Sequence, residues 1–120
     1  MTDERIRLTL PAQPGYIRLA RLTAAGLASR LGFTYDEVED LRIAVDELCY
    51  LLLGAGQTTG QVTLVFNTEA PGLEVRGEGP SGPRRGEFAE LSEQILKAIV
   101  DDYEIGDGGR TVRFRMAHRP

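Results

Sequence analysis

Glu47 and position 51 lie four residues apart, so on a helix they share one face, a turn from each other. A carboxylate at the first and an amide oxygen at the second could address one water and one Mg²⁺ beside a nucleotide phosphate. Position 51 is Leu51, which ligates nothing, and the only asparagine, Asn67, lies elsewhere, at a strand end. Glu47 therefore has a second reading, a solvated or ion-paired helix carboxylate, the ordinary state of Glu. The stretch Gly77-Glu78-Gly79-Pro80-Ser81-Gly82-Pro83 could cradle a phosphate with backbone N–H groups. Its two prolines remove two donors and stiffen it, Arg84 and Arg85 could add anion affinity, and the plainer reading is a solvated turn. Cys49 lies inside a run of apolar residues with no histidine near it in sequence, so it reads as a small buried hydrophobe and not as a nucleophile.

The element that must position Glu47 runs from Thr34 to Gly54. Thr34 caps a helix there, with Glu37 completing a capping box, Phe33 and Val38 at the staple positions, and Gly54 as the stop. Val38, Leu41, Val45, Leu48 and Leu52 draw one apolar stripe. A second face carries Asp40, Ile43, Ala44, Glu47 and Leu51. The four apolar residues Tyr50 to Leu53 surround the end of this helix, which is either buried all round or a sticky surface for a partner.

Around it, Arg5 to Leu10 alternates as a half-buried strand ended by Pro11 and Pro14. Gly15 to Leu31 reads as a helix with Ile17, Ala20, Ala24, Leu27 and Leu31 inward, Arg18, Arg21 and Arg30 off the stripe, and Gly32 closing it. After a loop over Ala55–Gly60, Gln61–Asn67 and Leu73–Arg76 read as strands joined by a turn at Ala70-Pro71-Gly72. Gly77 to Gly86 reads as loop. Glu87 to Tyr103 reads as a helix with Phe88, Leu91, Ile95, Ala98 and Ile99 inward. After a turn at Gly106–Gly109, Thr111 to Met116 is a last strand. Strand, two helices, two strands, helix, strand predicts an α+β fold, a mostly antiparallel sheet with helices on one face.

The bulk numbers narrow the function. A chain of 120 residues holds one domain with a real core. A formal charge of −4 gives no nucleic-acid footprint. One cysteine and one histidine, Cys49 and His118, exclude an internal disulfide or a multi-cysteine metal site. No apolar run approaches the ~20 residues of a membrane span, and no signal peptide opens the chain. The expectation is a soluble cytoplasmic protein.

The stretch IRLTLPAQPGYIRLARLTAAGLASRLGFTYDEVEDLRIAVDELC, residues 6 to 49, resembles the N-terminal half of the anti-sigma-factor serine kinases of bacterial partner switching. These belong to the GHKL ATPase superfamily with its Bergerat fold. LSEQILKAIVDDYEI and RTVRFRM resemble the C-terminal part more loosely. The resemblance implies a Bergerat-type two-layer α/β sandwich with a mixed, mostly antiparallel sheet. It implies a protein that holds a sigma factor inactive and, in active members, phosphorylates an antagonist protein on serine with Mg·ATP. Glu47 falls where the family keeps its catalytic carboxylate. Arg21, whose guanidinium should point to solvent, falls on the arginine that serves partner contacts.

The departures matter as much. The family's Glu-x-x-x-Asn metal position holds Leu51. Its Asp-x-Gly-x-Gly box corresponds to Arg76-Gly77-Glu78-Gly79, so Gly77 stands where Asp reads the adenine. Its Gly-Leu-Gly-Leu box is missing, Leu91-Ser92-Glu93-Gln94 running straight into Ile95, and the ATP lid shrinks to roughly Gly77–Glu90. A pocket lacking these buried polar partners loses on the order of 1–3 kcal/mol for each. The sequence thus predicts a degenerate member that binds a sigma factor or its antagonist, with no cofactor, and with dimerisation, with itself or with a paralogue, left open. The alternative is a working serine kinase using Mg·ATP.

Overall fold

The computed structural model describes residues 5–53, 59–69, 72–79 and 87–118. In chain order they form β1 (Arg5–Pro11), a short 3₁₀ turn at Pro14–Tyr16, α1 (Ile17–Arg30), α2 (Tyr35–Leu53), β2 (Gln61–Asn67), β3 (Leu73–Glu78), α3 (Glu87–Ile99), β4 (Asp102–Gly106) and β5 (Thr111–Met116). Gly54, most of the Ala55–Gly60 loop, Ala70-Pro71, Pro80 to Gly86 and the side chain of Phe88 lie outside the described residues.

The five strands make one sheet in the order β1-β2-β3-β5-β4, and every pairing is antiparallel. No parallel pair occurs among the described strands, so the expected mixed sheet is antiparallel here. Alternation does the work expected of it. Val62, Leu64 and Phe66 of β2 and Val112, Phe114 and Met116 of β5 are buried beneath the helices. The opposite sheet face is charged. Arg113 reaches Asp102 at 2.9 Å and Glu74 and Glu104 at 3.6 Å, tying β4 and β3 to β5. The hydrogen bond from Arg113 is the main reason the Asp102 carboxyl is held below the usual range.

Helix α2 lies between α1 and α3 and packs over β3 and β5. Its start is the predicted capping box: the Thr34 N–H donates to Glu37 Oε1 at 2.7 Å, and the Glu37 N–H donates to Thr34 Oγ1 at 3.2 Å. Glu37 Oε1 also meets His118 Nδ1 at 2.9 Å, and His118 stacks on Phe33 with ring centroids 5.6 Å apart. The residues after β5 are thereby fastened to the first turn of α2. Small residues on α1, Ala20, Ala24 and Ala28, are fully buried, which allows close approach to its neighbours. No helix among the described residues is long and apolar enough to cross a membrane.

Three expectations change. The third helix ends at Ile99, and Asp102–Gly106 is a strand, bonded to β5. Strand β3 continues through Gly77 and Glu78, which pair with β2 and β5. The rotation of α3 also differs: Ser92 and Leu96 are buried, whereas Leu91 is 53% exposed and Ala98 exposed. The stripe Leu91, Ile95, Ala98 is the more apolar one in sequence. The helix is turned instead by Tyr103 of β4, whose hydroxyl donates to Glu93 at 2.9 Å, and by Leu96 packing over the sheet.

That rotation sets a stability contrast. Leu96→Ala is expected to cost about 2–5 kcal/mol, as cavity-forming core truncations do. Leu91→Ala should stay within about 0.5 kcal/mol, as exposed changes do. Urea unfolding of the two variants measures both, and equal losses would contradict the placement of α3.

Candidate functional site

Three consecutive residues of α2 diverge because successive helical positions turn by ~100°. Asp46 leans toward α1, Glu47 toward α3, and Leu48 down onto the sheet. Asp46 is fixed by Arg21 of α1, Nε to Oδ1 2.9 Å, with both side chains about a third exposed or less. Arg21 therefore does not point freely to solvent as the stripe pattern suggests; its guanidinium is held within the chain. Burial raises the Asp46 carboxyl above its ordinary range, and the nearby Arg21 and Arg42 charges oppose this only in part.

Glu47 is half-buried and has no hydrogen-bond or ion-pair partner among the described residues. Leu51, one turn on, is partly buried and packs against the core, so the position beside Glu47 where a metal ligand would stand is apolar. Of the run Tyr50 to Leu53, Leu52 and Leu53 are buried, Leu51 is half-buried and Tyr50 is 51% exposed, so this end of the helix is buried on two sides and open at Tyr50 and in part at Leu51. Cys49 is buried and its thiol is pushed up to about 12, chiefly by burial and then by the Asp46 charge. A thiol held protonated in this way is inert.

The glycine stretch is not a loop at its start. Gly77 and Glu78 are ladder residues of β3, and the Gly79 N–H donates to the Arg110 carbonyl at 2.8 Å. A phosphate cradle needs backbone donors that are free, and that of Gly79 is taken. Glu78 faces solvent. Gly77 faces the helices, and the space beside it is full. A Cβ there would come within 2.5 Å of Leu52 Cδ1 and 2.9 Å of Leu48 Cδ2 and Leu64 Cδ2. At Gly79 a Cβ would lie 2.9 Å from the Leu52 carbonyl oxygen. Strand β3 thus runs directly against the last turns of α2, with leucine where a polar side chain would read a base. The residues at positions 51, 77 and 79 do not fit Mg²⁺ and adenine. Pro80 to Gly86, including Arg84 and Arg85, lie outside the described residues.

Of the predicted residues, Glu47, Leu51, Gly77 and Gly79 gather at the C-terminal half of α2 and the end of β3. Arg21 lies apart, on the α1 side. Asp46 was missed; an Asp beside Glu47, one helical face away from it, is a weak signal without knowing on which side α1 packs.

The histidine kinase-like ATPase domain model matches residues 10–116. The serine-protein kinase RsbW of Bacillus subtilis (strain 168) is 59% identical over 109 residues, 87% of this chain and 67% of that protein. The chain belongs to this histidine kinase-like ATPase family. The RsbW of Listeria innocua is 34% identical over 113 residues, 92% of this chain and 68% of the relative. That of Bacillus cereus (strain B4264) is 38% identical over 74 residues, 60% of this chain and 46% of the relative, so there the match spans about half of the relative's length. The two-layer α/β arrangement agrees with the family. At Gly77, where the resemblance places an aspartate, the space is taken by leucine side chains.

Restoring the family's aspartate tests that packing. Gly77→Asp forces a side chain among Leu48, Leu52 and Leu64 and buries an unpaired carboxylate. It should destabilise by at least about 3 kcal/mol, overpacking alone costing roughly 1–3. Urea unfolding reads this, and a variant as stable as the parent would show that the space is open.

Proposed function

We propose that the chain is an anti-sigma-factor-like regulator that acts in the bacterial cytoplasm by binding proteins in a partner-switching system, as a single domain with a shortened lid, and that it does not transfer phosphate. The observation that supports this reading most is the filled space at Gly77, where a Cβ would come within 2.5–2.9 Å of Leu48, Leu52 and Leu64 and where the resemblance puts an aspartate. Leu51 and the occupied Gly79 donor agree with it. The partner kind, a sigma factor or its antagonist, rests on membership in a family whose relatives are named serine-protein kinases and on the resemblance of residues 6 to 49 to anti-sigma kinases.

A second reading keeps the chain an Mg·ATP-dependent serine kinase. What favours it is Glu47, half-buried yet free of partners among the described residues, the condition a general base requires. Titration calorimetry separates the two. No heat of Mg·ATP binding is expected at millimolar nucleotide, and Glu47→Ala should not abolish repression of a sigma-dependent reporter. A dissociation constant below about 100 μM, roughly −5.5 kcal/mol, or transfer to an antagonist that Glu47→Ala abolishes, would make the chain an enzyme.

Arg21 is proposed as a partner contact. A partner carboxylate would have to take the fork now shared with Asp46, since guanidinium offers several donors to carboxylates. Arg21→Ala should weaken binding to the sigma factor or antagonist more than tenfold, about 1.4 kcal/mol. Asp46→Ala, which releases the guanidinium, should hold or strengthen it. Surface plasmon resonance on both variants checks this, and equal weakening by the two would reduce Arg21 to an internal brace.

A further inference from the structure

The apolar stripe of α3 that is turned outward has a counterpart on α2. Glu93 is fixed on the β4 side of α3 by the Tyr103 hydroxyl, 2.9 Å away. At ~100° per residue, Leu91 and Ile95 stand on the opposite flank, toward α2. On α2, Asp46 is held on the α1 side by Arg21. Asp40, Glu47 and Leu51 therefore stand on the flank toward α3, with Ile43 on the outward crest between the two flanks.

The two helices run antiparallel. The start of α2 and the end of α3 both lie where β5 ends, through the contact of Glu37 with His118 and the hydrogen bond from the Asp101 N–H to the Arg115 carbonyl. The stripes consequently lie along one groove. Leu91 is 53% and Ile43 43% exposed, while Ile95 and Leu51 are half-buried. Large apolar side chains along a shared furrow, with water on the open side, are the signature of a docking surface for a helix.

Among the described residues, the charges on this groove are of one sign. Asp40 is exposed and Glu47 half-buried on the α2 wall. The basic residues of these helices lie elsewhere: Arg42 is turned away and pairs with Glu39 at 3.0 Å, and Lys97 lies on the β4 flank of α3, beside Glu93 and Tyr103. An acidic helix would meet like charge, and an uncharged one would leave Glu47 partly desolvated and unpaired.

We propose that the groove between α2 and α3 is the docking site for an amphipathic helix of a partner protein, with an apolar stripe seated between Ile43, Leu51, Leu91 and Ile95 and lysine or arginine side chains on Asp40 and Glu47. This rests on the proposed function in one respect: no nucleotide occupies that end of α2. Glu47 is then a specificity carboxylate, reading a cation on the partner.

The test uses the full chain and two synthetic 18-residue helical peptides, both with one leucine face, the other face lysine in one and glutamate in the second. Calorimetry is expected to show binding of the lysine peptide and none of the glutamate peptide. Leu91→Arg should weaken the lysine peptide at least tenfold. Leu22→Arg, the same added charge at a 62% exposed leucine of α1, should change it less than twofold. Glu47→Gln should weaken it several-fold, and bound peptide should slow amide exchange in α2 and α3. If Leu91→Arg lowers the melting temperature, Ile43→Arg on the crest is the second variant. Absence of lysine-peptide binding, or equal losses in Leu91→Arg and Leu22→Arg, would overturn the proposal. So would self-association of the chain that Leu91→Arg abolishes, which would give the groove to a second copy. Binding of Mg·ATP would sink the non-enzymatic reading itself, whereas loss of peptide binding with no ATP binding sinks only the groove.

Discussion

Leu48 and Leu52 of α2 rest in the space that Gly77 and Gly79 leave on β3, and the helix layer takes its geometry from that contact. A side chain at either glycine would collide with the leucines or with the Leu52 carbonyl at 2.5–2.9 Å. Interiors are too densely packed to absorb such a collision without movement. The contact therefore fixes both how near α2 comes to the sheet and which way it is rotated. With Leu48 directed at the sheet, Asp46 must lean to one neighbouring helix and Glu47 to the other. The ion pair with Arg21 and a Glu47 carboxylate with no partner among the described residues are two consequences of one packing arrangement.

The other end of α2 is fixed by polar interactions. Thr34, Glu37 and His118 join the helix start, the chain after β5 and, through the ring stack, Phe33. The first N–H groups of a helix have no partner within it, and the capping box supplies partners locally. Because Glu37 Oε1 also meets His118, the cap doubles as a long-range tie between positions 37 and 118. An apolar clamp at one end and a polar clamp at the other leave α2 little freedom to move relative to the sheet.

What is legible in the sequence follows the range of the physics involved. The capping box is legible because all its atoms lie within four residues. Strands β1, β2 and β5 are legible because strict alternation over six or seven residues suits a pleated strand and does not suit a helix. β4 is not legible. Its five residues are half-buried or exposed throughout, so Asp102–Gly106 lacks the buried–exposed contrast that marks a strand, and Ile99-Val100 prolongs the helical pattern into it. The phase of α3 is hidden for a related reason. Leu91, Ile95 and Ala98 outrank Ser92 and Leu96 in apolarity, but burial is assigned by where β4 lies, and Tyr103 holds Glu93 there. At the site, the missing metal ligand at Leu51 and the glycine at position 77 are plain as residue types. That leucines fill the space beside that glycine, and that Arg21 is taken by Asp46, depend on contacts across elements that no local pattern encodes.

The filled space bears on regulation as well as on catalysis. A ligand shifts a conformational equilibrium only by as much as it binds one state better than another. A nucleotide pocket supplies such a ligand to a protein switch: bound and free forms can favour different partners. On the proposed reading Leu48, Leu52 and Leu64 take that place permanently, as core, and they stabilise one arrangement of α2 on β3 whatever the nucleotide concentration. Partner choice must then be set by the partners themselves, through their concentrations and through the surfaces they compete for. Two such surfaces flank α2, the Arg21–Asp46 pair on the α1 side and the acidic apolar groove on the α3 side. Since Asp46 and Glu47 are adjacent on a helix held rigidly at both ends, partners bound on the two flanks would compete by crowding over α2, without any change of fold.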